Sequence, residues 1–341
     1  MFGSVISKKI YVIGAGAIGA LVGGRLTKKF GKENVTLIDI DQEHIKAIRD
    51  NGLRIFDKGQ KTPELETVEV DIKTPDDIDK KTLEFVILAT KSYSNDKSLE
   101  HLKEDVPMLI LQNGYDQRLR SFKNAARGVE FGFACKVQEP GYIFNAVKGK
   151  YVFGGCFGDN QVAAKWAKLL NGAGIKAETA GNIDGYLWSK LLINSALNPV
   201  SAAKGFSFQK LIETDESREL FKELYVEGYP IVKRKCDELR QRLGSFLGPP
   251  NIVNWIFQKR GLSDFVLNKV AGKFGEVESS MLQDVRKNRQ TEIDFINGAI
   301  IQLGKDYGIA TPKNNWIYEQ VKKLEPNVRS DKTEKIHQAV H

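Results

Sequence analysis

Four short apolar runs punctuate the first third of the chain: KIYVIG (9–14), NVTLIDID (34–41), EFVILATK (84–91) and PMLILQNG (107–114). Each is continuously apolar in its middle and ends in polar residues or glycine, the pattern of strands buried on both faces. Further strands are expected around 129–137 and 150–155, and QVAAKWAKLLNGAG (161–174) reads as a helix stopped by glycine. After Gly185 apolar positions recur at helical spacing almost throughout. The pattern predicts an α/β chain in two parts. A doubly wound parallel sheet occupies residues 1–181, and an all-helical domain occupies 182–341.

The junction after the first run reads Gly14-Ala15-Gly16-Ala17-Ile18-Gly19. Three glycines at this spacing are a weak signal alone, but here they follow a strand and open a helix, as a Rossmann-type dinucleotide fingerprint requires. Gly14 permits the tight turn, Gly16 lets a pyrophosphate approach the backbone, and Gly19 lets helix and strand pack closely. Free N–H groups at the helix start then face the phosphates. Asp39 ends the second run, 20 residues after Gly19. An acid there hydrogen-bonds ribose hydroxyls and repels a 2′-phosphate. No arginine lies between Val35 and Glu43, although Arg49 is near enough to fold back. NAD(H) is therefore expected over NADP(H). Lys91 and Asn113 end the third and fourth runs, where ligands of open α/β sheets bind. Lys91 suits a phosphate or carboxylate. Asn113 suits the nicotinamide or the substrate, unless Asn113-Gly114 is only a turn.

In the helical half, YLWSKLLINSALNP (186–199) holds a single charge, Lys190. Lys190, Asn194 and Asn198 stand at i, i+4 and i+8 and share one face of a helix expected over 186–198. Leu187, Leu191, Leu192, Ile193 and Leu197 fill most of the remainder. An unpaired buried ammonium is costly, so Lys190 belongs either to a structural network with an acid or to a polar ligand. A lysine and two asparagines supply donors suited to a carboxylate and a carbonyl or hydroxyl oxygen. Ser280 and Glu292 are candidates in ESSMLQDVRKNRQTEIDFINGAIIQLG (278–304). In one straight helix they would stand about 18 Å apart. Lining one small site requires a bend, expected near Lys287-Asn288-Arg289; from the residues alone Glu292 is equally a solvated acid. The stretch 243–275, broken by Pro249-Pro250 and rich in Trp255, Phe257 and Phe265, reads as a lid, a dimer contact or an extra helical hairpin. The polar tail 329–341 reads as disordered.

Composition narrows the function classes. The net charge is +8, but no five like charges run together and the aromatics do not interleave with basic clusters. No nucleic-acid partner is expected; a solubilising surface or steering of anionic ligands explains the charge as well. Cys135, Cys156 and Cys236 form no CxxC and no even framework, as reduced core thiols would. His44, His101, His337 and His341 show no zinc spacing, and no metal is expected. No apolar run reaches the ~20 residues of a membrane span. MFGSVISKKIYVIG runs straight into a strand and leaves no room for a cleavable signal. The cytoplasm is the expected compartment, with no membrane partner.

Over nearly its whole length, from VIGAGAIG to TPKNNWIYEQVKKLE (311–325), the chain resembles the ketopantoate reductase (2-dehydropantoate 2-reductase) family. LWSKLLINSALNP and SSMLQDVRKNRQTEIDFING carry the resemblance more specifically than the glycine motif. The resemblance implies a Rossmann domain followed by a helical domain, and NAD(P)H-dependent reduction of 2-dehydropantoate to D-pantoate in pantothenate and coenzyme A biosynthesis. It implies that Lys190 is catalytic and that Asn194, Asn198 and Ser280 bind substrate. Glu292 then lies near the cofactor and the reacting centre, and Lys91 and Asn113 match the strand-end pair, Asn113 facing both cofactor and substrate. The expected partners are a small 2-keto acid and a second copy of the chain in a homodimer. Two positions depart from the family. Many relatives place an arginine after the second strand, where this chain reads Asp39-Ile40-Asp41. A further substrate asparagine lies beyond the Asn-Pro pair, where Phe208 falls. An NAD-dependent D-2-hydroxy acid dehydrogenase for another branched 2-keto acid is one alternative. A non-catalytic dinucleotide-binding redox sensor is another, and Lys190 and Glu292 argue against it, because binding alone needs neither.

Overall fold

A computed structural model describes residues 8–58, 65–132, 134–147, 149–156, 160–244, 249–259 and 261–326. The tail 329–341, with His337 and His341, lies outside the described residues. The chain divides into two compact units: one takes residues up to Gln112 and Arg118–Ile183, the other Asn113–Gln117 and everything from Asp184.

The first unit begins with β1 (Ile10–Ile13), α1 (Ala17–Phe30), β2 (Val35–Ile38), α2 (Gln42–Asn51), β3 (Leu53–Asp57), β4 (Leu65–Val68) and β5 (Asp71–Lys73). It continues with β6 (Phe85–Leu88), α3 (Asn95–Ser98), β7 (Met108–Ile110), β8 (Ala125–Phe131), β9 (Ala134–Glu139), β10 (Tyr142–Val147), β11 (Lys150–Gly155), α4 (Asn160–Gly172) and β12 (Ala177–Thr179). Its main sheet runs β12-β11-β8-β7-β6-β1-β2-β5. The strands from β8 to β5 are parallel, and β11 turns antiparallel against β8.

The apolar runs are continuous because alternate residues serve opposite faces. Val12, Leu37, Ile87 and Leu109 enter one core with Trp166 of α4. Ile13, Ile38, Leu88 and Ile110 enter the other with Leu119 and Phe122. A sheet covered on both faces leaves no polar alternation to read. A second sheet, β4-β3-β10-β9, has no pattern in the sequence beyond the strand expected around 129–137, which covers the end of β8 and the start of β9. Its strands are short and half-exposed, so their apolar signal is diluted; β9 buries none of its residues fully. Cys135 of β9 donates its thiol to the Ala17 carbonyl over 3.5 Å, and burial pushes that thiol far above the usual range.

The second unit is helical: α5 (Ile183–Lys204, its first residue still in the first unit), α6 (Phe208–Glu213), α7 (Asp215–Glu238), α8 (Pro250–Phe257), α9 (Leu262–Phe274), α10 (Ser280–Arg286), α11 (Ile293–Tyr307) and α12 (Pro312–Lys322). α5 runs through Pro199 rather than ending at 198. The segment 243–275 forms two successive helices, α8 and α9. Phe257 docks α8 on α7, with ring centroids 5.5 Å from Phe221 and 5.0 Å from Tyr225. Among the described residues no helix is long and apolar enough to cross a membrane, and no cluster of His, Cys, Asp and Glu could hold a metal.

Candidate active site

The candidate residues fall into two groups, one in each unit. In the first, the glycine loop leaves the carboxyl end of β1 between β6 and β2. Gly14 has φ +94°, and a Cβ there would lie 2.7 Å from the Thr90 nitrogen, so no other residue fits the turn. A Cβ at Gly19 would collide with the Gly14 carbonyl, while one at Gly16 would meet nothing within 4 Å. The loop is thus tight beneath and open at Gly16, as a pyrophosphate cradle must be. Gly16 is the N-cap of α1, and the first turn, which includes Ala17, Ile18 and Gly19, holds no acid to compete for its N–H groups. These residues fit a dinucleotide.

Asp39 does more than end β2. Its Oδ2 accepts from the Ala15 N–H at 2.6 Å, and its Oδ1 accepts from the Ile40 and Asp41 N–H groups at 2.8 and 3.0 Å. One carboxylate therefore ties the end of β2 to the glycine loop. Asp41 in turn caps α2 by accepting from the His44 N–H at 3.1 Å. Arg49 does not fold back to Asp39: its guanidinium donates to the Ile72 carbonyl at 3.1 and 3.3 Å. Lys91 is the N-cap of the 3₁₀ turn Ser92–Ser94 after β6, directly following Thr90, on which the glycine loop packs.

In the second unit, α5 is the hub. Lys190 and Asn194 are half-buried, and Asn198 is buried. Three contacts bring the other candidate elements to this helix. At the start of α10, Ser279 donates its hydroxyl to the Asn198 carbonyl at 3.5 Å, placing Ser280 beside the end of the stripe. Midway, Asn297 of α11 donates to the Ser195 carbonyl at 2.8 Å. Near Lys190, the Trp188 ring packs on Tyr115 with centroids 4.7 Å apart.

Tyr115 belongs to the short segment Asn113–Gln117, which leaves the β-sheet unit to join the helical one. The Tyr115 N–H donates to the Phe295 carbonyl at 2.9 Å. Gly114 has φ +78°, and a Cβ there would sit 2.8 Å from the Phe295 Cβ. Asn113-Gly114 is thus both a turn and a close approach to α11, one turn from Glu292.

The chain does break between Ser280 and Glu292. α10 ends at Arg286, Asn288 takes φ +49°, and the Arg289 N–H returns to the Asp284 carbonyl at 2.9 Å. Glu292 then stands as the N-cap of α11, only 4% exposed. Asn113, Lys190, Asn194, Asn198, Ser280 and Glu292 accordingly lie on joined elements of one unit. Phe208 is buried at the start of α6, its N–H donating to the Val277 carbonyl at 2.9 Å. Sequence reasoning missed the residues that hold these elements together: Trp188 and Asn297 lie inside the two motifs but show there only as an aromatic and an amide at helical core positions, and Tyr115, in the loop after Asn113-Gly114, carries no signal.

The family described as ketopantoate reductase PanE/ApbA matches residues 10–155, and its C-terminal part matches residues 182–325. A 2-dehydropantoate 2-reductase of Pyrococcus horikoshii is 31% identical over 325 residues, covering 93% of this chain and 97% of the relative. Among solved structures, 2-dehydropantoate 2-reductase of Geobacter metallireducens superposes with a TM-score of 0.75 at 22% identity, covering 92% and 99% of the two chains. D-mandelate dehydrogenase with NADH and anilino(oxo)acetate superposes with 0.74 at 23%, covering 93% and 98%. Both share the fold. With both parts of the family matched and a relative above 30% identity aligned almost end to end, the chain belongs to the ketopantoate reductase family of NAD(P)-dependent oxidoreductases.

Proposed function

We propose that the protein reduces ketopantoate to D-pantoate, as a cytoplasmic homodimer serving pantothenate and coenzyme A synthesis, with Lys190 as general acid. The observation that carries this reading is the stripe Lys190, Asn194, Asn198 on an otherwise apolar helix, with the starts of α10 and α11 held to that helix and its neighbours. Reduced nicotinamide, when bound, supplies the hydride to C2 of the keto acid. Negative charge then grows on the carbonyl oxygen. The Lys190 ammonium hydrogen-bonds that oxygen and gives it a proton, yielding the hydroxyl. Asn194, Asn198 and Ser280 hold the carboxylate and the substrate hydroxyl. Glu292 orients the ammonium near the cofactor, and Asn113 presents its amide to the nicotinamide or the substrate. Gly14 to Gly19 hold the pyrophosphate, and Lys91 takes a phosphate or carboxylate.

The same residues support NADH over NADPH. Asp39 and Asp41 put two carboxylates beside the end of β2, where a 2′-phosphate would need a cation, and Arg49 is engaged at Ile72. A second reading, an NAD-dependent D-2-hydroxy acid dehydrogenase for another branched 2-keto acid, is favoured by Phe208, which puts a ring where relatives put an amide.

The test is loss of NADH or NADPH absorbance with ketopantoate, 2-ketoisovalerate and benzoylformate. Ketopantoate with NADH is expected to give the highest kcat/KM, and Lys190→Ala to lower kcat by ~10²-fold or more with the fold intact. Near wild-type turnover in that variant, or a clear NADPH preference, would remove the corresponding part of the proposal.

A further inference from the structure

We propose that Thr291, Asp294, Lys322 and Glu325 form a clamp that sets the position of Glu292 from both sides, so that the end of α12 and the turn just after it supply positioning residues for the reaction. This rests on the reading above that Glu292 acts at the reacting centre.

Glu292 adopts φ −92° and ψ 21°, the sparsely populated bridge region, at the point where the loop becomes α11. On one side Thr291 is anchored to a distant carboxylate, and on the other Asp294 is itself a carboxylate anchored to distant donors. The Thr291 N–H and hydroxyl both donate to Glu325 Oε1, at 2.8 and 2.6 Å. The Thr291 hydroxyl oxygen accepts from the Ile293 N–H at 3.2 Å, and the Glu292 side chain does not cap its own helix. On the other side, Asp294 accepts from the Tyr318 hydroxyl at 2.6 Å and from Lys322 Nζ at 3.2 Å. Lys322 Nζ also donates to Glu325 Oε2 at 2.7 Å. One ammonium thus joins Asp294, two residues after Glu292, to Glu325, which holds Thr291 just before it.

The carboxylates and the threonine of the clamp are largely shielded, and the lysine is half-buried. Thr291 is 0% exposed, the Asp294 and Glu325 side chains are 1% and 6% exposed, and Lys322 is 30% exposed. Burial alone would lower the Lys322 pKa, but Asp294 and Glu325 outweigh it and keep the ammonium charged. Charge-assisted bonds in such surroundings are strong and directional. Lys322 thus holds one flank of the acid directly, through Asp294, and the other through Glu325, which accepts from Thr291.

The experiment compares full-length wild type, Glu325→Gln, Glu292→Gln and the double variant, by kcat and KM for the keto acid with NADH. Glu325→Gln is expected to lower kcat by ~10-fold or more with little change in KM, since small displacements of a reacting group are costly. In the Glu292→Gln background it is expected to lower kcat no further, because it acts through Glu292. An equal loss in both backgrounds, or undiminished turnover in Glu325→Gln while Glu292→Gln is impaired, overturns the clamp. Undiminished turnover in Glu292→Gln overturns the reading of Glu292 itself. Should Glu325→Gln not fold, Tyr318→Phe, which removes one hydroxyl from Asp294, is judged by the same criteria.

Discussion

The side-chain amide of Asn297 donates across 2.8 Å to the carbonyl of Ser195, the carbonyl that Pro199 deprives of its helical partner. The proline would ordinarily break α5 at the polar stripe. A donor from α11 replaces the missing N–H, and the helix continues to Lys204. The same amide donates to Asn314 Oδ1 at 3.0 Å, and Asn314 donates to Glu227 of α7 at 2.9 Å. Asn297 and Asn314 are both 0% exposed, so neither finds water instead.

Asn297→Ala leaves the Ser195 carbonyl and the Asn314 amide oxygen without their donor. Each unsatisfied buried group costs about 1–3 kcal/mol. The urea midpoint is expected to fall accordingly. KM for the keto acid is expected to rise, because Asn194 and Asn198 bracket Ser195. Unchanged stability and unchanged KM would show that Pro199 needs no tertiary partner.

This pair also marks where sequence reading stops. The glycine fingerprint and the Lys190 stripe were legible because each is a local spacing on one element. The break near Asn288 was legible as a geometric requirement on Ser280 and Glu292. Nothing local announces that α5 survives Pro199, since the rescuing donor lies 102 residues away. The Thr291–Glu325 bond, spanning 34 residues, is equally silent. The transfer of Asn113–Gln117 to the helical unit depends on Phe295 accepting from Tyr115, a tertiary bond. Strand ends could be read from the sequence; which unit the chain beyond them joins could not.

Asp39 latches the glycine loop, and the function proposed above also has it disfavour a 2′-phosphate; substitution should separate the two. Asp39→Asn keeps an acceptor for the Ala15 N–H but removes the charge. Hydrogen bonds to charged groups contribute about 1.5–3 kcal/mol, so the loop is expected to loosen and KM for NADH to rise about tenfold. The ratio of kcat/KM for NADPH to that for NADH is expected to increase, since repulsion of the 2′-phosphate weakens. Equal losses with both cofactors would mean that Asp39 only latches the loop.

Gly114 is required for two reasons. At φ +78° an L side chain costs about 1–2 kcal/mol. Its Cβ would also stand 2.9 Å from the Phe295 carbonyl oxygen, and such overpacking costs about 1–3 kcal/mol. Gly114→Ala is expected to lower stability by about 2 kcal/mol or more and to shift Asn113, raising KM. An alanine variant with the wild-type unfolding curve would refute the close approach.

The attachment of α9 should be acid-sensitive. Asp264 Oδ1 accepts from Arg218 Nε and Lys222 Nζ, both at 3.1 Å. Lys222 is 3% exposed and also donates to the buried Ser263 hydroxyl at 3.1 Å. Burial alone would raise the Asp264 pKa, but Lys222 and Arg218 outweigh it and hold it below the usual 3.8. A carboxyl with a lower pKa in the folded state stabilises the fold above its unfolded pKa. That contribution is lost as the pH falls through the folded pKa. Asp264→Asn is therefore expected to be less stable than wild type at neutral pH, since buried Lys222 then keeps one carboxylate partner, Glu219 at 2.5 Å, instead of two. The gap should close below pH ~4 as the wild-type carboxylate is protonated. Urea midpoints of both proteins between neutral and acidic pH measure it. A gap that stays constant through the acid range would assign the loss to packing rather than to the ion pair.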